Sequence, residues 1–281
     1  MRICLLTPDA GHPLLARTAA LLRPQHEVSS LDPNETTGLP DPSSLADVYL
    51  LKTRTPRALA YARHLEEHGA PVLNSAAATE LCQDRTAMAA HALAAGLPFA
   101  ATRTEPSLTH FAEAAGVGDA EGAVFPVVVK SRHSRRRDLV ARVGDRAQLR
   151  ALARQWPDEP VVVQDFTPND GWDHKLWVVD GHVFAGLRRS ELATPVPDKA
   201  TRPLDSGDLP AGLLDLVRRV GEVFALDVYG VDVLDAGGTP VIVDINAFPG
   251  IRGQIGAPEA LADLALRTAA GSRRPRVPAA M

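Results

Sequence analysis

"GVDVLDAGGTPVIVDINAFPG", residues 230 to 250, is the stretch from which the rest of the chain can be read. Two apolar runs flank a Gly-Gly pair, the pattern of two strands joined by a tight turn. Residues two apart on a strand share a face. Asp244 and Asn246 therefore present their oxygens side by side in a segment otherwise built for burial, and Asp232 on the first strand supplies a third. Register decides whether the three converge. With a three-residue loop of Gly237, Gly238 and Thr239, Asp232 faces Asp244. With a two-residue Gly-Gly loop, Asp232 falls opposite Val243 and Asp244 turns to the other face. Convergence requires the odd loop or a bulge. Two like charges directly opposite destabilise a sheet, and a divalent cation reverses that effect. A few hard oxygens with room left for water and phosphate suit magnesium. The plainer alternative is that these residues end strands or cap a turn; three oxygen-bearing side chains on one hairpin favour the metal.

The bulk numbers fit such a site. The chain has 281 residues, 45% of them hydrophobic and 23% charged, enough apolar material for a core without disulfides. A net charge of -4 argues against a dedicated nucleic-acid binder. Cys4 and Cys82 read as small buried apolar residues. The apolar run at "RICLL" stops at Thr-Pro-Asp, too short for a signal core or a membrane span. The reading is a cytoplasmic protein with no membrane and no nucleic-acid partner.

Short strands and helices alternate from "RICLL" to "PVLN", which predicts a parallel doubly wound sheet. No G-x-G-x-x-G follows the first strand, so a dinucleotide in the usual position is not expected. A helix is predicted from about Ala76 to Ala95, ended by Gly96 and Pro98. "FPVVVK", "PVVVQDF", "HKLWVV" and "HVFAGLRRS" read as strands, the last two joined by the Asp180-Gly181 turn. "RAQLRALARQW", "AGLLDLVRRVGEVFAL" and "PEALADLALRTAA" read as helices. Residues 191–210 read as a long loop and 271–281 as a disordered tail.

Several basic residues belong with the hairpin. Lys130 ends an apolar strand, and Lys175 and Arg188 alternate with apolar residues on neighbouring strands. Each alone is an ordinary solvent-seeking charge; together they could clamp a triphosphate. "SRHSRRRD" carries four arginines in eight residues, either a solvated loop or a contact for phosphate or an anionic substrate.

The order of these elements, from "VVVK" through "VVVQDF" and the basic strands to "GVDVL" and "VIVDINAFPG", resembles the ATP-grasp superfamily over roughly residues 72 to 268. The resemblance implies an α/β fold, α+β in its C-terminal part. A parallel-sheet domain (1–80) would precede two α+β subdomains clasping ATP (81–163 and 164–270), with the tail after them. It implies that Asp232, Asp244 and Asn246 bind one or two Mg2+ ions, with Mn2+ able to substitute. Arg85, Lys130, Gln164, Asp165, Phe166, Lys175 and Ser190 would meet ATP, with Gln164 to Phe166 as the hinge at the adenine. Arg188 and Lys175 would serve the transferred phosphate, and Lys52, Arg135 and Gly250 the acceptor.

Two branches of the superfamily compete. "NSAAATELCQDRTAMAAHALAAGLPFAATR" and "PGIRGQIGAPEALADL" are similar to the ribosomal-protein glutamate ligases, which phosphorylate a carboxylate and let an amine displace the phosphate. "DINAFPG", Arg85, Lys52 and Lys175 look closer to the inositol-trisphosphate 5/6-kinases, which phosphorylate a hydroxyl. The flap after Lys130 normally contains glycine, and here none occurs before Gly144. The preferred reading is a carboxylate–amine ligase acting on a small-molecule or peptide acceptor. A kinase-type phosphotransferase is the alternative and a non-catalytic ATP-binding protein the third. A homo-oligomer is compatible with the chain.

Overall fold

A computed structural model describes residues 1–36, 38, 40–115, 124–135, 137–190, 192, 201–251 and 253–279. Residues 191 and 193–200 of the predicted loop, Arg136 of the arginine-rich stretch and the last two residues of the tail lie outside the described residues.

Three sheets organise the chain. The first joins β1 (Arg2–Leu6), β2 (Glu27–Leu31), β3 (Val48–Leu51) and β4 (Val72–Leu73) in the order β2-β1-β3-β4, all parallel. The order reverses at β1, as in a doubly wound sheet. Helices α1 (Pro13–Leu22) and α2 (Pro56–Glu67) make the crossovers. Both begin with Pro in the first turn, where the missing N–H costs nothing.

The predicted helix from Ala76 to Ala95 is two helices, α3 (Ala76–Leu81) and α4 (Arg85–Ala94). The break has a local cause. Asp84 takes an extended conformation, and its carboxylate accepts from the amides of Thr86 and Ala87, capping α4.

The second sheet is antiparallel, with β5 (Thr102–Glu105), β6 (Val127–Ser131), β7 (Val140–Val143) and β8 (Val161–Asp165) in the order β5-β8-β6-β7. Helices α5 (Leu108–Ala114) and α6 (Arg146–Gln155) cover one face. Val127, Val129, Val161 and Val163 point at those helices. By the period of two, Val128, Lys130, Val162 and Gln164 face the other way. A boundary at 163/164 would cut through β8, all of whose residues pair with β6. The sheet ends at Asp165 instead.

The third sheet contains β9 (Trp172–Val179), β10 (His182–Arg189), β11 (Thr201–Leu204), β12 (Val228–Asp235) and β13 (Pro240–Ala247), antiparallel in the order β11-β10-β9-β12-β13. Strand β11 lies inside the predicted 191–210 loop and pairs with β10 from Arg188↔Thr201 to Ala185↔Leu204. Asp180 and Gly181 both have positive φ, the signature of the predicted tight turn. Helix α7 (Leu213–Val223) packs with α3 and α4 on one face of this sheet through Val217, Phe224, Tyr229, Val231, Ile242 and Ile245. The opposite face, including Lys175 and Asp232, turns toward the second sheet.

Helix α8 (Ala257–Ala269) does not stay with the third sheet alone. Leu261 and Leu264 share a core with Ile3, Leu5, Leu15 and Val228, fastening the last helix to the first sheet. Asn74 adds a polar pin between these layers. Its carboxamide oxygen accepts from the amides of Asp227 (2.8 Å) and Val228 (2.9 Å).

The predicted disordered tail is also anchored where it is described. Asp227 has a fully enclosed side chain. Arg273 Nη2 donates to it at 2.6 Å and the Arg276 amide at 2.9 Å. Arg273 also reaches Asp180 at 3.2 Å. A buried carboxylate without such partners would be costly, so the polar tail is ordered by the charge it answers. Among the described residues, no helix is long and apolar enough to cross a membrane.

Candidate active site

The hairpin resolves the register question. Ala236 donates to the carbonyl of Thr239 at 2.9 Å, closing a two-residue Gly237-Gly238 turn. Both glycines have positive φ, at 65° and 90°, which suits glycine in this turn. Asp235 then pairs with Pro240 and Val233 with Ile242. A bulge follows, and beyond it Asp232 faces Asp244 and Gly230 faces Asn246. The bulge keeps Ile242 and Ile245 in the core while Asp244 and Asn246 face the cleft.

The two carboxylates do not meet bare. Lys175, opposite Asp232 on the neighbouring strand, places Nζ 2.7 Å from its Oδ2. Arg85 Nε lies 3.7 Å from Asp244 Oδ1, and Asn246 Nδ2 lies 3.4 Å from Asp244 Oδ2. Lys130 crosses from β6 and donates to the carbonyl of Val243, the bulged residue, at 2.7 Å. Burial pushes the Lys130 amine down to about 8, with Asp244 pulling it back up. For Lys175 burial also works downward, but Asp232 and Asp173 outweigh it and the amine is held above its ordinary value.

Asp173, absent from the sequence-based candidates, belongs to this cluster. It sits two residues before Lys175 on β9 and opposite Arg188 on β10. Lys175 Nζ is 3.7 Å from its Oδ2, while its Oδ1 is buried without a hydrogen-bond partner. Burial raises its pKa. The signal was present in "WDHKLW": the two-residue spacing that singled out Asp244 and Asn246 also links Asp173 with Lys175.

A narrow cavity beside the cluster is lined by Lys130, Gln164, Asp165, Phe166, Asp173 and Ser190, among others. Thus most of the predicted nucleotide residues line one space between the second and third sheets. Gln164 is buried, and its amide is held by Thr102 Oγ1 at 3.0 Å. Phe166 stacks under the guanidinium of Arg142, 4.2 Å from the ring centre. Arg85 is placed differently. It lines neither this cavity nor the one beside Asn246, and it is only 6% exposed. Its Nη1 donates to Ser131 O (2.8 Å) and Asp138 (2.7 Å). Arg85 therefore holds Asp244 and the loop after β6 in place.

Lys52 and Gly250 line a second, larger cavity that also touches Asn246. Arg135 lines it too, but both of its terminal nitrogens are spent on Glu159 at 2.7 Å. Arg132 is likewise bound to Asp84, at 2.7 Å. Those two of the four arginines in the glycine-free stretch thus act as structural cross-links.

The donor set fits a hard divalent cation: two carboxylates facing across a bulged ladder and an amide beside them, with basic side chains already compensating the negative charge. Among the described residues, no three His, Cys, Asp or Glu side chains cluster to hold a metal, so any such site needs the Asn246 amide and non-protein oxygens.

The sequence profile of the RimK-like ATP-grasp domain matches residues 109–260, more than half of the chain. The chain belongs to the RimK-like ATP-grasp family. Members of this superfamily use ATP and a divalent metal in general. The coenzyme gamma-F420-2:alpha-L-glutamate ligase of Methanococcus maripaludis is 23% identical over 147 residues, 51% of this chain and 52% of that protein. The RimK-like chain thus spans about half the length of that curated relative. A RimK domain ATP-grasp protein from Sphaerobacter thermophilus superposes over 95% of this chain and 100% of its own, with a TM-score of 0.70 and 26% identity. The ATP-grasp ligase PsnB, solved with a minimal precursor, Mg and ADP, covers 95% of this chain and 97% of its own, with a TM-score of 0.69 and 18% identity. The latter likeness is one of fold. The name of the curated relative states a ligase reaction for that protein.

Proposed function

We propose that this RimK-like chain is an ATP-dependent carboxylate–amine ligase. The observation that carries the reading is the facing pair Asp232 and Asp244, with Asn246 beside them and Lys130 and Lys175 at hand, next to the narrow cavity that Lys130 and Gln164 to Phe166 line. Gln164 to Phe166 line the adenine end, and Lys130, Lys175 and Arg188 face the phosphates. Asp232, Asp244 and Asn246 would hold Mg2+, one or two ions, with Mn2+ able to substitute. The metal, when bound, neutralises phosphate oxygens.

The chemistry has two steps. A carboxylate oxygen of the acceptor attacks the γ-phosphorus, the bond to the bridging β–γ oxygen breaks, and ADP leaves. The amine nitrogen then attacks the acyl carbon, the acyl–phosphate C–O bond breaks, and phosphate leaves as the amine loses a proton. The protein acts mainly by position and charge. Lys130 and Lys175 are held in place before ATP arrives, so little reorganisation is needed at the moment of transfer. A small-molecule or peptide acceptor would reach the γ-phosphate from the cavity that touches Asn246.

The test follows the phosphate. With ATP and a library of carboxylic acids and amines, a ligase releases ADP and free phosphate in an amine-dependent way. Phosphate retained on the product would mean hydroxyl phosphotransfer and defeat the ligase reading. Asp244→Ala and Asn246→Ala should each cut turnover at least about 100-fold, several kcal/mol of lost charge stabilisation, with circular dichroism unchanged. Near-normal turnover in both would remove the metal assignment.

A further inference from the structure

The larger cavity has an unusual charge balance. Asn246 and Gly250, next to the proposed transfer site, line it together with the segment Lys52–Thr55 after β3. Among the described residues no Asp or Glu lines it, while Lys52, Arg54, His133 and Arg135 do. Three of these basic residues have partners within the protein. Lys52 donates to Phe248 O at 3.0 Å and lies over the Phe248 ring. His133 Nε2 is 3.8 Å from Asp84, and Arg135 is paired with Glu159.

Arg54 differs. Its carbonyl accepts from the Gln83 side chain, which fixes its backbone. The residue is half-buried and lines the cavity, and among the described residues no carboxylate pairs with its guanidinium. An arginine with no carboxylate partner among the described residues, lining a cavity where the other described lining residues include no acid, is a candidate site for an external anion. Its planar fork matches a carboxylate or phosphate in a bidentate way.

We propose that Arg54 is a specificity-determining residue that binds a second anionic group of the acceptor, distinct from the carboxylate that is phosphorylated. The acceptor is then a compact molecule or peptide end with two anionic groups, one presented beside Asn246 and the other at Arg54. The role of the first group rests on the ligase reading; the anion site at Arg54 stands apart from it.

Equilibrium binding separates the two. The α,ω-diacids from succinate to adipate, and the mono-amide of each, are titrated by calorimetry into the full chain, with and without Mg-AMPPNP. The best diacid should bind at least about tenfold more tightly than its mono-amide, the size of one charge-assisted bond. Arg54→Gln should erase that preference, and Arg54→Lys, which keeps charge but loses the fork, should retain part of it. Equal binding of diacid and mono-amide, no diacid binding, or a preference that survives Arg54→Gln would overturn the assignment. Failure of wild-type protein to bind Mg-AMPPNP would count against the ligase reading, and the titrations without nucleotide would still decide Arg54.

Discussion

Replacing Lys130 by Met should separate stability from function. Lys130 is 6% exposed, and burial pushes its amine pKa down from 10.5 to about 8. At pH 7, below both values, that depression is a penalty of about 3 kcal/mol on the folded state. Removing the amine relieves this penalty and strands the carbonyl of Val243, its acceptor at 2.7 Å, at a cost of about 1–3 kcal/mol. The two effects nearly cancel, so Lys130→Met should be neutral or stabilising by up to about 2 kcal/mol at pH 7. The sign must change with pH. Between pH 8 and 10.5 only the unfolded chain keeps the proton, so the wild-type penalty fades as pH rises. By pH 10 the variant should be the less stable protein. Urea unfolding at pH 7 and pH 10 measures both values. Nucleotide affinity, read with a fluorescent ATP analogue, should fall by about 10- to 100-fold with loss of a charged donor. A loss of more than about 2 kcal/mol at pH 7, or a difference that does not move with pH, would refute the reasoning.

Asp173→Ala removes a buried carboxylate whose Oδ1 has no partner. Stability should change by less than about 1 kcal/mol, while nucleotide affinity should drop about tenfold if the orphaned oxygen accepts from the bound nucleotide; an unchanged affinity would place Asp173 outside the site. Arg273→Ala strips the enclosed Asp227 of its 2.6 Å donor and should cost about 2–4 kcal/mol in urea unfolding. The tail is also acid-sensitive. Burial works to raise the pKa of Asp180, but Arg267 and Arg273 hold it below 3.8. Its stabilisation is therefore complete above pH 3.8 and lost as pH falls through the folded value. Melting temperatures from pH 5 to 2.5 should fall less steeply for Arg273→Ala than for the wild type.

The fold was legible where local signals and tertiary packing agree. "PLLARTAALL" carries helical periodicity and the α1 boundaries follow it. Residues 76–95 misled because apolar spacing continues across Cys82 and Gln83, while the decisive event is one side chain, Asp84, capping the next helix. Strand β11 was hidden because "TRPL" has little strand character of its own; it exists because β10 offers an edge. The tail shows the same limit. Its polar sequence lacks a core, and only the fold reveals that Asp227 waits for Arg273 and Arg276. In the site, individual chemistry was readable but allegiance was not. Arg132 and Arg135 looked like anion contacts until Asp84 and Glu159 claimed them. Arg54 is the contrasting case, with no carboxylate partner among the described residues.

The bulge in β13 does more than set the register. Val243 has no ladder partner on β12, since Val233 pairs with Ile242 and Asp232 with Asp244. Its carbonyl is thus free to take Lys130 from the opposite sheet. Deleting Val243 would give a regular hairpin in which Asp232 still faces Asp244, because the Gly-Gly turn and the pairs up to Ile242 already run in that register. The residue is therefore dispensable for bringing the carboxylates together and needed for anchoring the lysine. The deletion variant should keep Mn2+ binding, measured by electron paramagnetic resonance, within about threefold of the wild type. It should lose about tenfold or more in nucleotide affinity, the worth of one oriented charged donor. Loss of Mn2+ binding in step with the nucleotide would mean that the bulge shapes the metal edge itself. Retention of both would mean that Lys130 needs no carbonyl to hold it. Only the split result fits a bulge whose function is to present a backbone oxygen across the cleft.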